Sequence, residues 1–275
     1  MTRDLAIEKH WGRGDVYATI VAALERSSKS LATLTIEDLA PVDQVHARGL
    51  PATIELADQL PVKAEHHLLD IGCGLGGPAR YFAHRFQCQV SGIDITKPFV
   101  DAARKLTTLL HMDDRVSIEQ GDAMRLAFAT GTFDGAYALH VTMNIADRAA
   151  FVAEAARVLK PGAFFALTEH GLGEGGEPYY PVPWSEDGTG SHLVPPEETR
   201  RLLAAAGFTN IAIEEVGPKY LEAYRRVIDL AARGALPPLG LHLLQGDTAP
   251  QKTRNAARNI EEGRTRPIQV VCHKR

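Results

Sequence analysis

Apolar and polar residues follow two kinds of pattern along the middle of the chain. Short apolar runs, which predict buried strands, occupy five segments: His67–Ile71, Cys88–Ile93, Val116–Glu119, Phe133–Leu139 and Ala163–Thr168. Stretches with helical spacing lie between them, such as Phe99, Ala103, Leu106 and Leu110, which fall on one helical face. Strands separated by single helices predict a parallel sheet with helices on both faces. The predicted fold class is therefore α/β.

The regions on either side of this core do not show its alternation of strands and helices. The first 60 residues have helical patterns, whereas the segment after the fifth strand is rich in Gly, Pro and aromatic residues. A long loop of that composition in a compact domain predicts a lid. We see no linker, so residues 1–275 are predicted to form a single domain. Its parts are a helical cap, a core, a lid and a C-terminal region that completes the sheet: residues 1–60, 66–170, 171–194 and 195–275.

Composition limits the classes of protein that need considering. Hydrophobic residues make up 45% of the chain and charged residues 23%, which is typical of a globular protein. The net charge of −4 argues against nucleic acid or an anionic membrane as the main partner. No apolar run approaches the roughly 18 residues that span a bilayer, and the first residues predict no secretory signal. Three cysteines without a C-x-x-C pair suit a reducing compartment, so we expect a cytoplasmic protein.

A glycine-rich loop follows the first predicted strand. Gly72, Gly74 and Gly77 match the pattern G-x-G-x-x-G, which binds the pyrophosphate of a dinucleotide. However, Asp70 would place a carboxylate near that pyrophosphate. A carboxylate there suits a ligand with positive charge, such as S-adenosylmethionine, which carries an amino group and a sulfonium and has no phosphate. Ligands of open parallel sheets bind at the carboxyl ends of the strands, where this loop is expected.

Two more carboxylates follow the next two strands. Asp94 is placed for a bidentate hydrogen bond to a ribose diol, a role that an acid also has in NAD-binding proteins. Asp122 could accept a hydrogen bond from the exocyclic amine of adenine. Each acid alone could equally be a helix cap or part of a turn. Three acids at successive strand ends are the more informative pattern.

Four segments, taken together, strongly resemble the class I S-adenosylmethionine-dependent methyltransferases: Leu68–Arg80, Gly92–Thr96, Gly121–Ala123 and Arg157–Gly162. The resemblance implies a Rossmann-like sheet of seven strands, mostly parallel, with an antiparallel last strand. It also implies the cofactor S-adenosylmethionine. From its methionine end to its adenine end, the predicted cofactor contacts are Asp70, Gly72, Gly74, Leu139, Asp94, Ile95, Asp122 and Ala123.

Further segments are similar to a small-molecule group that includes sarcosine/dimethylglycine N-methyltransferases and natural-product methyltransferases: Asp43–Gly49, His140–Ile145, Tyr180–Trp184 and Asn259–Arg264. The resemblance implies a small-molecule methyl acceptor. An amine or amino-acid-like compound is the first interpretation, and an oxygen or carbon nucleophile of a secondary metabolite is the alternative. The oligomeric state is left open, with a homodimer as one alternative.

Methyl transfer is an in-line displacement, so the site must mainly align its reactants and exclude water. An amine needs no base, whereas a hydroxyl or a carbon acid needs one near neutral pH, and histidine is the usual choice. The candidate catalytic residues are His140, His46 and His170. A structural role is the alternative for each of them.

Candidate acceptor contacts are aromatic or polar residues near those histidines. Asn144 lies one helical turn after the fourth strand's histidine, and Tyr179 and Trp184 could form an aromatic wall in the lid. Tyr17, in the N-terminal helix, could cover the bound cofactor. The eleven histidines include no H-x-x-x-H pair, so we expect no metal site.

Two other functions remain as alternatives. An NAD(P)-dependent oxidoreductase would use the same glycine loop and Asp94. A binding protein would keep the cofactor pocket without turnover.

Overall fold

The computed structural model describes residues 10–11 and 14–275. Residues 1–9 and 12–13 of the predicted cap lie outside the described residues. Seven strands form one sheet: β1 (His67–Ile71), β2 (Gln89–Asp94), β3 (Val116–Gln120), β4 (Phe133–Leu139), β5 (Leu159–Leu172), β6 (Phe208–Glu215) and β7 (Thr265–Lys274). Their order across the sheet is β3-β2-β1-β4-β5-β7-β6.

Strand direction follows the prediction. The pairs β1–β2, β2–β3, β1–β4 and β4–β5 are parallel, whereas β7 is antiparallel to both β5 and β6. The sheet reverses its order between β1 and β4, which is where α/β folds bind ligands. The Rossmann-like fold with an antiparallel last strand is confirmed.

Ten α-helices are described: α1 (Val16–Arg26), α2 (Ile36–Asp43), α3 (Leu50–Asp58), α4 (Gly77–Phe86), α5 (Lys97–Leu109), α6 (Arg148–Val158), α7 (Pro196–Ala205), α8 (Gly217–Ala232), α9 (His242–Gln245) and α10 (Ala249–Glu261). Local signals explain several of their starts. Asp15 caps α1 by accepting a hydrogen bond from the Ala18 N–H at 2.9 Å, and Thr35 with Asp38 forms a capping box at α2. Pro at the first or second position opens α4 and α5.

The boundary between α6 and β5 differs from the prediction. The strand was expected at Ala163–Thr168, but the helix ends at Val158 and β5 begins directly at Leu159, which pairs with Phe133. The register then shifts, and Gly162 has a φ of +80° within the irregular stretch. Glycine accepts that backbone angle, so the residues that stop the helix also form an irregularity in the strand.

The sheet is covered by an apolar core on each face. Leu69 and Ile71 belong to one cluster and Leu68 to the other, as expected for a strand buried on both sides. A third cluster joins the helical cap to the glycine loop and α5, with Leu39 packed near Leu75 and Phe99. The cap is therefore packed over the end of the sheet that carries the loop. No helix among residues 10–11 and 14–275 is long and apolar enough to cross a bilayer.

The lid, residues 171–194, is held by the helix α10. Lys252 is buried and pairs with Glu186 at 2.7 Å. The Asn255 amide donates to the Pro181 carbonyl at 2.9 Å, and the Tyr179 N–H donates to the Asn259 side chain at 2.8 Å. Side chains of one helix thus fix three points of a segment that has little regular structure of its own.

Candidate active site

Gly72 and Gly74 shape the loop after β1. Their φ angles are +73° and +54°, in the region that glycine adopts without strain. A β-carbon on Gly72 would also overlap the side chain of Val141, which follows β4. The loop therefore needs glycine both for its backbone angle and for close packing against the neighbouring strand end.

A cavity of about 310 Å³ opens at the carboxyl ends of β1, β2, β3 and β4. This size is within the range of small-molecule sites. All eight predicted cofactor contacts line it: Asp70, Gly72, Gly74, Asp94, Ile95, Asp122, Ala123 and Leu139. Strand order brings these residues together, because the ends of adjacent parallel strands meet at one edge of the sheet.

Asp94 and Asp122 are oriented by backbone N–H groups. The two oxygens of Asp94 accept hydrogen bonds from Gly74 at 2.9 Å and from Thr96 at 2.8 Å. Asp122 accepts one from Met124 at 2.8 Å. Each carboxylate oxygen can accept more than one hydrogen bond, so both side chains keep capacity for a ligand. Both carboxylates can therefore accept hydrogen bonds from the turn backbone and from a ligand at the same time.

Asp70 is electrostatically distinct from these two acids. It is 1% exposed, and its Oδ2 atom is buried without a hydrogen-bond partner. Burial raises the pKa of Asp70 well above its usual value, and the charge of Asp94 adds to the rise. A cation bound beside Oδ2 would favour the ionised form and satisfy that atom. The amino group and sulfonium of S-adenosylmethionine fit this requirement, whereas a pyrophosphate would repel the charge.

The three predicted catalytic histidines come together near one side of the cavity. The ring centre of His140 lies 6.0 Å from that of His46 and 5.5 Å from that of His170. Burial lowers the pKa of His46 to about 4 and that of His170 to about 3. Burial also lowers the pKa of His140 well below its usual value, and the other two histidines contribute. At neutral pH all three rings are therefore uncharged.

Only part of this histidine cluster faces the cavity. His46 and His140 line it, whereas His170 is fully buried outside the lining and stacks on Trp184 with ring centres 4.7 Å apart. The ring of His46 is held on both sides, by the Ala47 carbonyl at 3.1 Å and the Thr53 hydroxyl at 3.0 Å.

His140 has a free side toward the cavity. Its Nε2 atom lies 2.9 Å from the Tyr220 hydroxyl, and the residue lines the cavity. Its φ of +58° is uncommon for a residue other than glycine, and such angles often occur at functional sites. Of the two histidines that line the cavity, His140 has fewer ring hydrogen bonds than His46.

The predicted acceptor contacts lie in different surroundings. Asn144 lines the cavity, and its amide donates to the lid carbonyls of Trp184 at 3.1 Å and Gly190 at 2.9 Å. Asn144 therefore positions the lid as well as facing the cavity. Tyr17, Tyr179 and Trp184 are outside the lining.

The surroundings of the three aromatic residues explain their placement. Tyr17 lies under Lys105, with the ammonium 5.0 Å from the ring centre. Tyr179 is contacted by the guanidinium groups of Arg258 and Arg264, at 3.9 Å and 4.1 Å from the ring centre. Trp184 is buried, and its indole N–H donates to Ser191 at 3.0 Å. Here the lid aromatics anchor the lid, and its main chain and small residues face the cavity.

Several lining residues were not singled out from the sequence. Trp11 lines the cavity beside Phe99, with ring centres 5.8 Å apart, and the lid contributes Thr189, Gly190 and His192. Phe99 was assigned only to the apolar face of its helix, although its place just after Asp94 was an available signal. The lid contacts had no such signal. They depend on the Met143 carbonyl, which accepts the lid N–H of His192, and on the side chains of Asn144 and Arg148, which donate to lid carbonyls.

The charged residues in the described part of the cavity lining are all carboxylates. Among the described residues the lining includes Asp70, Asp94 and Asp122 but no lysine or arginine. Nor do the described residues contain a group of three or more His, Cys, Asp or Glu side chains that could hold a metal ion.

Comparison with known proteins agrees with this geometry. The family model described as a methyltransferase domain matches residues 69–167. Methyltransferase GfsG from Streptomyces halstedii is 33% identical over 132 residues, which cover 48% of this chain and 48% of that protein. The 27-O-demethylrifamycin SV methyltransferase of Amycolatopsis mediterranei is 41% identical over 115 residues, 42% of each chain. The chain thus spans about half the length of the curated relatives it matches.

The structural similarity to known proteins covers more of this chain than the sequence similarity does. The structure of phosphoethanolamine N-methyltransferase 2 from Haemonchus contortus, solved with S-adenosylhomocysteine, matches with a TM-score of 0.75 at 21% identity. The match covers 98% of this chain and 60% of that one, and at this identity it shows the fold alone. Residues 69–167 thus match a methyltransferase domain, and they lie on the sheet that the sequence predicts.

Proposed function

We propose that this protein is an enzyme that transfers the methyl group of S-adenosylmethionine to a hydroxyl group of a neutral small molecule. The observation that carries the proposal is a single cavity lined by the carboxyl groups of Asp70, Asp94 and Asp122 together with the imidazole of His140. Acidic groups at one end suit a cationic cofactor, and an uncharged imidazole at the same cavity suits removal of a proton.

In this proposal the strand ends hold the cofactor. Asp70 would bind the amino group, Asp94 the ribose diol and Asp122 the adenine amine, while the glycine loop leaves room for the methionine part. Bound there, the cofactor supplies an electrophilic methyl group on a sulfonium. The protein's contribution is to align that methyl group with the acceptor and to exclude water.

Two features favour a hydroxyl over the amine that was the first interpretation from sequence. A hydroxyl needs a base near neutral pH, and His140 is an uncharged base that faces the cavity. An amino-acid-like acceptor would bring a carboxylate, yet the described part of the lining offers no lysine or arginine to pair with it. The relative from Amycolatopsis mediterranei, which is named for an O-demethylated rifamycin, is compatible with an oxygen acceptor.

His140 would remove the proton of the acceptor hydroxyl. As the hydroxyl oxygen attacks, its proton passes to Nδ1 of His140, and the imidazolium then returns that proton to water.

The test has two stages. First, S-adenosylhomocysteine should raise the melting temperature, whereas NAD should not; stabilisation by NAD alone would indicate the oxidoreductase instead. Second, the protein is incubated with S-adenosylmethionine labelled in its methyl group and with separate panels of alcohols, phenols, amines and amino acids. Label should enter hydroxyl compounds. Transfer only to amines would reject the hydroxyl acceptor, and binding of S-adenosylhomocysteine without transfer to any panel would indicate a binding protein.

A further inference from the structure

Glu169 is a fully buried carboxylate of β5 that does not line the cavity. One of its oxygens accepts a hydrogen bond from the Thr199 hydroxyl of α7 at 2.6 Å. The other accepts from the Arg148 guanidinium at the start of α6, also at 2.6 Å, and from the Thr142 hydroxyl in the turn that follows β4. One carboxylate therefore connects β5 with α6, α7 and the turn after β4.

Arg148 extends this connection to the lid. Its Nη1 atom donates to Glu169, while Nε and Nη2 donate to the His192 carbonyl at 3.2 Å and 3.1 Å. The guanidinium is a planar fork, so pairing of one N–H group fixes the direction of the others. Arg148 is 6% exposed and lies outside the cavity lining, whereas His192 lines the cavity. A buried ion pair thus holds the backbone of a residue in the cavity wall.

Two more hydrogen bonds join the same stretch of lid to the turn after β4. The lid residues that line the cavity, which we call the lid wall, are Thr189, Gly190 and His192. The His192 N–H donates to the Met143 carbonyl at 2.7 Å, and the Asn144 amide donates to the Gly190 carbonyl at 2.9 Å. The position of the lid wall therefore depends on the segment between β4 and α6.

Two observations favour a contact of the lid wall with the acceptor instead of the cofactor. All eight predicted cofactor contacts come from the ends of β1 to β4 or directly after them, and none comes from the lid. In addition, Trp184 of the lid stacks on His170, and the centre of that imidazole lies 5.5 Å from the ring centre of His140. The lid thus approaches the side of the cavity where the histidines lie.

We propose that Arg148, held by Glu169, is a positioning residue that fixes the lid wall as one side of the acceptor site. The proposal deepens the proposed function and rests on it, because only a transferase has an acceptor site. A wall that binds the acceptor equally well before and during transfer lowers KM without raising kcat. Loss of the guanidinium fork should therefore raise the KM for the acceptor more than it lowers kcat.

Arg148→Lys separates the positioning role from the ion pair alone. A lysine still neutralises Glu169, but one ammonium cannot bind that carboxylate and the His192 carbonyl with the fixed geometry of a guanidinium. The matched control is Arg157→Lys in the same helix. Arg157 also joins a glutamate, Glu154, to backbone carbonyls, and those carbonyls lie outside the lid.

Hydrogen exchange of the full chain, measured by mass spectrometry on peptides that contain His192, reports the lid wall without any acceptor. In Arg148→Lys these amides should exchange at least about tenfold faster than in the unchanged protein, and in Arg157→Lys at the unchanged rate. Amides of β5 and β7 should stay protected in both variants, which would show that the sheet remains folded. Unchanged exchange in Arg148→Lys, or equal acceleration in both variants, would overturn the proposal.

A second pair of variants acts through the carboxylates. Glu169→Gln and Glu186→Gln each place a neutral amide opposite a buried cation, Arg148 or Lys252. Glu186 belongs to the lid but does not line the cavity. Exchange at the lid wall should become faster in Glu169→Gln and stay unchanged in Glu186→Gln. Equal acceleration would show that loss of any lid contact loosens the wall, which would also overturn the proposal.

Steady-state kinetics with the acceptor found in the labelled-methyl assay give a second readout. Arg148→Lys should raise the KM for the acceptor at least about fivefold, change kcat less than about twofold and leave the Kd for S-adenosylhomocysteine within about a factor of two. A Kd that rises as much as KM would assign the lid wall to the cofactor and overturn the proposal. If exchange responds as expected but label enters no hydroxyl compound, the proposed function fails and the role of Arg148 in holding the lid stands.

Discussion

Arg80 and Asp43 form a fully buried ion pair, 2.9 Å between Nη2 and Oδ2, which joins α4 to the C-terminal end of α2. The same guanidinium nitrogen donates to the Leu75 carbonyl of the glycine loop at 2.7 Å. Arg80 also contacts Thr107 in α5 at 3.0 Å. One arginine therefore connects the helical cap, the loop and two helices beneath the cofactor end of the cavity.

Asp43→Ala should lower the free energy of unfolding by about 3–5 kcal/mol, because it leaves the Arg80 guanidinium buried without a counter-ion. Urea denaturation measures this directly. The control is Asp101→Ala, which breaks the exposed Lys97–Asp101 pair and should cost no more than about 1 kcal/mol. A loss at Asp43 no larger than at Asp101 would mean that the buried pair does not hold the cap.

Asp94→Ala should weaken binding of S-adenosylhomocysteine by about 1.5–3 kcal/mol, the range for a hydrogen bond to a charged group. The substitution removes the carboxylate expected to bind the ribose diol. Isothermal titration calorimetry gives the Kd, with the exposed Asp101→Ala variant as the control for loss of one carboxylate. An unchanged Kd would place the ribose elsewhere.

His140→Ala should slow turnover by about a hundredfold or more, while the Kd for S-adenosylhomocysteine stays the same, because general base catalysis contributes about 10²–10⁴-fold. Steady-state assays with an oxygen acceptor and calorimetry separate the two effects. His84→Ala, at an exposed position in α4, is the control and should change neither. Equal losses of turnover and cofactor affinity would indicate that His140 contacts the cofactor instead of the acceptor.

His46 should make the protein less stable as the solution becomes acidic. Burial holds the pKa of His46 at about 4, against about 6.5 in the unfolded chain, so the unfolded state binds the proton first. This contribution to stability is complete above about pH 6.5 and is lost as the pH falls toward 4, by an amount on the order of 3 kcal/mol.

Comparison of His46→Gln with the unchanged protein isolates this contribution. The free energy of unfolding, measured by urea denaturation from about pH 7.5 to about pH 5, should fall less steeply in the variant. Other groups titrate in both proteins, including the carboxyls of Asp43 and Asp70, whose pKa values are raised by burial. Their effects cancel in the difference. Parallel curves would show that His46 is protonated equally in both states.

The grouping of the three strand-end acids around one cavity could be predicted because these residues follow a local rule. Asp70, Asp94 and Asp122 each come at or just after a strand end, and parallel strands place those ends at one edge of the sheet. For the acceptor, the sequence could give only a set of candidate residues. His46, His140 and His170 are close in space, yet the sequence could not rank them, because their hydrogen bonds and burial depend on Thr53, Tyr220 and Tyr224.

The lid shows the same division. Its Gly and Pro content predicted an irregular segment after β5, but aromatic residues were expected to face the acceptor. In the folded protein Arg258 and Arg264 of the C-terminal region contact Tyr179, and the backbone near Gly190 lines the cavity instead. Side-chain type alone does not report which face of an irregular loop is buried, since such a loop has no fixed period.

The amino-acid sequence alone determined the α/β sheet, the place of the glycine loop and the carboxylates around one cavity. The hydrophobic periodicity that predicts strands and helices can be read from short stretches of chain. Consecutive elements also usually lie next to each other in the fold. Tertiary structure decided which of the candidate histidines line the cavity. His140 is bonded to a tyrosine 80 residues away in the sequence. A contact over that distance depends on how α8 packs against the sheet. The hydrophobic periodicity around His140 and that of α8 do not predict this packing.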